Sequence, residues 1–223
     1  MKRIVVLSLF LLISSSLLAQ KAKESTYKKF DLGLGFFTDI WQDLPEGMNA
    51  RTINQGFQVN LMYNHRIGKG GVSMAIGIGT SFHNLFSNTI IPDIKADSIS
   101  FVPVGDTISY RKSKLQLSYF DIPFEFRYRS KSGFRMAFGF KASFLYDSKI
   151  KYKGERPSDD GVEVKVKSKS VNQLETFGYG PTVRFGYKWI NVFGYFCLSN
   201  TFKKDRGPEL YPISVGIALI PYQ

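Results

Sequence analysis

The chain has 223 residues, a formal net charge of +12 and a mean hydropathy of -0.12. The length suits one domain or one barrel and argues against several domains. The hydropathy gives no sign of a uniformly apolar protein, but it leaves room for a transmembrane β-barrel, which needs apolar residues only at alternate strand positions. The single cysteine, Cys197, excludes an internal disulfide and a thiol-rich metal site.

The N-terminus is typical of a secretory signal peptide. Lys2 and Arg3 precede an apolar run, residues 4–13, which is too short to span a membrane as a helix, and SSSLLAQ follows. We therefore predict a signal peptide over residues 1–19 and one mature domain over residues 20–223. Loss of Lys2 and Arg3 lowers the net charge by two, from +12 to +10. A basic exported protein favours anionic lipid or polysaccharide neighbours over nucleic acid.

The mature sequence alternates between apolar and polar residues, and this period of two predicts β-strands. In the first strand, for example, Phe30, Leu32 and Leu34 share one face. Eight such segments follow one another along the chain. In chain order they cover residues 30–40, 56–67, 72–82, 114–129, 134–146, 175–188, 192–202 and 211–220.

Two strands carry a predicted irregularity. In the fourth strand the apolar residues move from odd positions, such as Leu117, to even positions, such as Phe124, and this change of phase predicts a β-bulge near Phe120. In the sixth strand Pro181 lacks the N–H of one ladder hydrogen bond, which predicts a bulge or a locally irregular stretch.

The connections between strands alternate in length. Three are short: GKGG (68–71), SKSG (130–133) and the region around WIN (189–191). Four are longer: residues 41–55, 83–113, 147–174 and 203–210. This layout is typical of an outer-membrane barrel with short periplasmic turns and long extracellular loops.

The third long loop is rich in lysine, with Lys149, Lys151, Lys153, Lys165, Lys167 and Lys169. A run of charge is typical of a solvated loop. It is also a candidate contact for anionic lipopolysaccharide or for an acidic partner at the cell surface.

The polar rows indicate which strand face meets the membrane. They mix glycines with long charged residues: Glu125, Arg127, Arg129, Arg135, Lys141 and Arg184. Glycine weakens a strand on an open solvent face, whereas the narrow lumen of an eight-stranded barrel has to be filled by side chains that fit together. We therefore predict that the six charged residues form a structural network in the lumen. The apolar rows then face lipid, with Tyr and Trp girdles near the strand ends.

The SKSG turn sets the register of the central hairpin. If Arg129 pairs with Arg135, then Phe126 meets Phe138 on the lipid side and Glu125 faces Gly139 in the lumen. A soluble periplasmic ligand-binding barrel of the lipocalin kind, which turns its apolar row inward, and a secreted β-sandwich are the alternatives.

Catalytic motifs are missing from the sequence. It contains no HExxH, GxSxG, P-loop or paired-cysteine motif, so we expect no catalytic residue, no cofactor and no metal. Ser81 and His83 are close in sequence, which keeps a lipid-modifying enzyme as an alternative, although the sequence shows no acid oriented behind them. A narrow porin-like conduit is the other alternative, but we expect eight strands to leave a filled lumen.

The central hairpin also resembles a known family. YFDIPFEFRYRS (119–130) and FRMAFGFKASFLYDSKIKYKG (134–154) are similar to the central hairpin of the PorT-like outer-membrane β-barrel proteins of Bacteroidetes, which are Gram-negative bacteria. The resemblance implies an all-β, eight-stranded antiparallel up-and-down barrel in the cell outer membrane, with no enzyme activity and no cofactor. One member of that family is needed for type IX secretion. We therefore expect a structural, interaction or secretion-accessory role in the cell envelope.

The expected partners follow from this placement in the membrane. They are outer-membrane lipid and lipopolysaccharide, together with other envelope or secretion proteins. We expect no nucleic acid partner, and the barrel is either a monomer or part of a complex.

Overall fold

The computed structural model describes residues 29–105, 108–156 and 162–221. The predicted signal peptide lies outside the described residues. The described chain forms eleven strands. In order they are β1 (Phe30–Gln42), β2 (Gln55–Arg66), β3 (Val72–Phe86), β4 (Thr89–Ile90), β5 (Val102–Pro103), β6 (Tyr110–Arg129), β7 (Phe134–Glu155), β8 (Glu163–Lys169), β9 (Phe177–Tyr187), β10 (Ile190–Phe196) and β11 (Tyr211–Leu219). No helix among these residues is long and apolar enough to cross a membrane.

Eight of the strands close into an antiparallel barrel. Each long strand pairs with the next one along the chain, and β1 pairs with β11 from Leu34↔Leu219 to Gln42↔Tyr211, which closes the sheet. The predicted all-β, eight-stranded up-and-down barrel is therefore confirmed. The three remaining strands lie in the long connections: β4 pairs with β5, and β8 pairs with the far end of β7.

The two central strands are longer than predicted. β6 begins at Tyr110, four residues before its predicted limit, and β7 ends at Glu155, nine residues after its predicted limit, both on the side of the long loops. The seventh strand is shorter than predicted, because β10 ends at Phe196. On β10 the alternation places Phe193 and Tyr195 in the lumen, and Val192 outside.

The apolar rows face outward. Phe36, Phe126 and Phe138 are each more than half exposed, at 57%, 52% and 56%. Polar groups of the alternate rows, such as Asp39 and Asp121, are fully buried in the lumen. An outward apolar row excludes the lipocalin-type arrangement, in which the same residues would fill the interior. The barrel is thus inverted relative to a soluble one, as the sequence predicts.

The predicted register of the central hairpin is also confirmed. Arg129 lies opposite Arg135, Phe126 opposite Phe138, Phe124 opposite Phe140, and Glu125 opposite Gly139. The ring of Phe124 contacts the ring of Phe126 edge-on, with centroids 5.1 Å apart. Cross-strand and same-face aromatic contacts of this kind stabilise the hairpin on its lipid side.

The bulge predicted near Phe120 lies on the other strand of the hairpin. Ser118 pairs with Asp147 and Tyr119 with Leu145, so the extra residue is Tyr146 of β7. β6 pairs with β3 without a register shift, and its odd-numbered residues face the interior from Ser113 to Arg129. The apolar residues of β6 therefore move from one face to the other because the medium beside each face changes along the strand, and not because the strand contains a bulge.

Pro181 causes a local irregularity without a bulge. The β7–β9 ladder continues in register through Phe140↔Pro181, but the β9–β10 ladder ends at Thr182↔Tyr195, directly beside the proline. The missing N–H of Pro181 accounts for this end, because proline cannot donate to a ladder.

Candidate functional site

Three of the six predicted lumen residues meet in one ion-pair cluster. Oε2 of Glu125 accepts hydrogen bonds from Nε of Arg127 and from Nη2 of Arg184, each at 2.6 Å. Arg127 also donates to Asp31 Oδ2 at 2.7 Å, and Arg184 to Asn191 Oδ1 at 3.1 Å. The cluster ties β6 to β1, β9 and β10 across the lumen. Charge-assisted bonds of this kind are about twice as strong as neutral ones.

Gly139 makes room for this cluster. An added Cβ at Gly139 would meet the backbone oxygen of Phe124, and would lie 2.9 Å from both Glu125 Cγ and Thr182 Oγ1. The backbone oxygen cannot yield without disturbing the β6–β7 ladder. A small residue opposite Glu125 is therefore a steric requirement of this register.

We expect Gly139→Ala to destabilise the barrel by about 1–3 kcal/mol, because overpacking forces side chains and backbone to shift. Urea unfolding in detergent micelles, followed by gel mobility, measures this change. Gly178→Ala is the matched control, since its nearest contact would be Ser199 Oγ at an ordinary 3.5 Å. Equal stability of the two variants would contradict the close approach at Gly139.

Lys141 belongs to a second cluster. Its Nζ lies 3.7 Å from Asp121 Oδ2 and 3.9 Å from the centre of the Tyr195 ring. Ser143 Oγ donates to Asp121 Oδ1 at 2.6 Å. Asp121 was not predicted as a lumen residue. Its odd-numbered position on β6, which it shares with Glu125, could have indicated that it faces the lumen.

Arg129 and Arg135 lie at the short-turn end of the lumen. They form the last register pair of the central hairpin. Both line a cavity of about 380 Å³, together with Arg66, Lys69 and Lys131. The structure thus places these two arginines at a basic opening of the lumen, on the short-turn side of the Glu125 cluster.

A third buried group contains the two residues noted in the sequence, Ser81 and His83. Asp39 on β1 lies 3.0 Å from His83 Nδ1, and Ser81 Oγ lies 3.3 Å from His83 Nε2. Ser214 Oγ on β11 donates to Asp39 Oδ1 at 2.6 Å. The acid that the sequence did not reveal is therefore Asp39, which continues the lumen row of Gly33 and Gly35 on β1.

The order serine, histidine, acid is that of a catalytic triad, and the group is enclosed in the lumen. Ser81 and Asp39 are 0% exposed, and the ring of His83 packs between Phe37 and Tyr119. The neighbouring cavity holds about 20 Å³, which is room for about one water molecule. The hydrogen bonds of this group cross-link β1, β3 and β11.

The free space in the lumen decreases from one end to the other. The cavity at the short-turn end has about 380 Å³, the cavity beside Glu125 and Lys141 about 60 Å³, and the one beside His83 about 20 Å³. Among the described residues, no group of three or more His, Cys, Asp or Glu side chains could hold a metal ion.

Comparison with known proteins identifies the family. The model of the outer membrane protein beta-barrel domain matches residues 38–203, which is well over half of the chain. The chain belongs to this outer membrane β-barrel family. No curated protein matches it. A solved structure of Ail, the attachment invasion locus protein of Yersinia pestis, in complex with the heparin analogue sucrose octasulfate, shares 11% identity; the match covers 86% of this chain and 97% of Ail, with a TM-score of 0.38.

As an outer membrane barrel, the protein presents its apolar rows to the bilayer. On β7 the outward row runs from Phe134 to Tyr146, and at about 3.4 Å per residue and a tilt of about 40° it spans about 30 Å, the thickness of the hydrocarbon core. Tyr128, Tyr187 and Trp189 are exposed at the periplasmic end of the rows, where an aromatic girdle is expected.

The long loops of this outer membrane barrel form an ordered extracellular head with its own apolar core. The core, which we call the head core, contains residues from the strand ends and from all four long connections. It comprises Trp41, Met48, Leu85, Ile91, Ile99, Leu115, Leu117, Val171, Leu174, Phe202 and Leu210.

Contacts between different loops fix the head. A bridge joins Leu174 to Phe202, another joins Ala50 to Ser87, and the backbone N–H of Ile99 donates to the oxygen of Arg206 at 2.9 Å. The sequence suggested polar connections only. Their apolar residues carry no strand or helix period, which is why the head core was not predicted.

Proposed function

We propose that this outer membrane barrel is a structural and interaction protein without catalytic activity, and that its extracellular head makes the contacts. The observation that carries the proposal is the head core, which holds the four loops together above the lumen. Ordering long loops costs conformational entropy, so an apolar core inside them indicates that the shape of the head matters. A rigid head suits recognition more than it suits transport.

The buried Ser81–His83–Asp39 group supports the non-catalytic assignment. An acyl-transfer serine must reach a substrate carbonyl and an oxyanion site, and Ser81 is enclosed in the lumen. Overexpression with analysis of lipid A and phospholipids tests this point. A change in lipid composition that His83→Ala abolishes would instead support the lipid-modifying alternative.

The proposed partners are outer-membrane lipid, lipopolysaccharide and other envelope proteins, for a barrel that is a monomer or part of a complex. The resemblance of the hairpin at 119–154 to PorT-like proteins of Bacteroidetes supports a secretion-accessory role, in which the predicted signal peptide, residues 1–19, delivers the chain to the envelope. Gene deletion tests this role: loss of type IX cargo from the medium supports it, and unchanged secretion argues against it.

The refolded barrel is expected to produce no steady single-channel steps in planar bilayers, because the Glu125 and Lys141 clusters fill its lumen and the head core lies above it. Heat-modifiable gel mobility must first show that the sample is folded, and a heat-unfolded sample serves as the control. Reproducible steps from the folded sample alone would favour the porin-like conduit.

A further inference from the structure

The head carries an ordered array of lysines on its outer surface. In the sheet formed by β6, β7 and β8, Lys114 lies opposite Lys151, and Lys151 lies opposite Lys167. The rows on either side repeat the pattern. One contains Lys112, Lys153 and Lys165, and the other contains Gln116, Lys149 and Lys169. We call these eight lysines the lysine lattice.

All eight lysines share one face of the sheet. Directly opposite residues point to the same side, and residues two apart along a strand do so as well. The alternate residues Leu115 and Ile150 point the other way, against the head core. Neighbouring rows and columns are about 7 Å and 5 Å apart, as strand geometry dictates.

Contacts within the protein account for only part of this lattice. Lys114 donates to Asn84 Oδ1 at 2.5 Å, and Lys112 and Lys114 lie over the ring of Phe86. Like charges placed directly opposite each other destabilise a sheet. Partial burial, together with Lys112 and Lys151, lowers the pKa of Lys114 to about 8. Burial and the nearby Lys167, Lys112 and Lys149 lower the pKa of Lys151. Asp147 pairs with Lys149 at the foot of the lattice. An anion bound over these amines would relieve the repulsion.

Protection of a sheet edge explains only part of the pattern. Lysines on an exposed edge strand discourage pairing with another chain, and β8 is the edge strand of this extension. Lys151 and Lys153 lie on β7, and Lys112 and Lys114 on β6, behind that edge. Their charges do not guard an edge. The Phe86 ring beside Lys112 and Lys114, and the Gln116 amide that accepts from Lys151, leave their positive charges unneutralised.

The position of the lattice indicates its ligand. On β6 the lattice face continues without a change of phase into the lipid-facing residues Phe120 and Ile122. On β7 the lowest lattice row, at Lys149, follows Tyr146 by about 10 Å along the strand. The lattice therefore begins where acyl chains end, at the level of the lipid headgroups.

We propose that the lysine lattice binds the phosphate groups of an anionic glycolipid of the outer leaflet, of the lipopolysaccharide class. Lysine ammonium groups are well suited to phosphate as point charges, and an array with neighbours about 5–7 Å apart can contact several phosphates of one or two headgroups. This inference rests on the proposed interaction role, and it identifies the surface and the ligand group.

The test compares two full-length double variants with the same loss of charge. Lys151→Gln with Lys167→Gln removes the centre of the lattice, and Lys203→Gln with Lys204→Gln removes two exposed lysines elsewhere on the head. The probe is bis-phosphorylated lipid A in nanodiscs, measured against the same lipid without phosphates. We expect about tenfold weaker binding for the lattice variant, wild-type binding for the control, and restoration by Lys151→Arg with Lys167→Arg.

Two outcomes would overturn the proposal. An equal loss of lipid A binding in both double variants would mean that the lipid is attracted by overall charge and not by a site. Tighter binding of a soluble sulfated oligosaccharide than of lipid A would mean that the lattice serves a free polyanion. Heat-modifiable gel mobility of each variant shows that the barrel is assembled. If the lysine lattice of an assembled barrel does not bind lipid A, the proposed structural and interaction role is unaffected.

Discussion

Replacement of Glu125 by glutamine is expected to destabilise the folded barrel by about 3–5 kcal/mol, the cost of removing one partner from a buried ion pair. The carboxylate accepts from both Arg127 and Arg184, and the three side chains are only 14%, 11% and 9% exposed. Glutamine keeps the size of Glu125 but leaves two arginines in the lumen without its charge. Urea unfolding in lipid vesicles measures the change in free energy.

Glu163→Gln is the matched control for this prediction. Glu163 pairs with Arg111 at 3.9 Å on the surface of the head, where the side chains are 61% and 72% exposed. Exposed pairs contribute about 0–1 kcal/mol, so this variant should unfold close to wild type. A Glu125→Gln barrel as stable as the control would show that Asp31 and Asn191 suffice to hold the two arginines.

The sequence reveals relations between adjacent strands more readily than relations across the barrel. The pairing of Phe126 with Phe138 follows from one short turn and a period of two, both visible in the residues themselves. The contact of Asp39 with His83 joins β1 to β3 and depends on how all eight strands tilt and shift past each other. That shear is a property of the closed barrel, and no local pattern encodes it.

The change of apolar phase in the central hairpin shows a second limit. Within the membrane, Phe120 and Phe144 face outward into lipid. Beyond it, Leu117 and Leu115 face inward into the head core, and lysines face outward into water and headgroups. An alternating strand specifies two faces, but the medium on each side decides which face is apolar. The sequence shows the switch clearly, whereas its cause becomes visible only when the loops are seen to pack.

Arginine at either Phe126 or Phe138 is expected to cost about 2–4 kcal/mol of folding free energy, as for a cation placed deep on the lipid face of a barrel. The two rings are direct cross-strand partners on the outward row, so either substitution brings a guanidinium into the hydrocarbon. Unfolding titrations in vesicles measure this cost. Phe126→Ala separates it from the loss of the contact with the Phe124 ring.

Depth provides the internal control for the same row. Tyr128 follows Phe126 by two residues, nearer the periplasmic end of β6. It is 47% exposed and lies where the aromatic girdle meets the headgroups. Tyr128→Arg is therefore expected to cost about 0–1 kcal/mol, because the cation can reach water. A difference between positions 126 and 128 would establish a gradient of depth along the strand. Equal tolerance at both positions in an assembled barrel would mean that this row does not face the hydrocarbon.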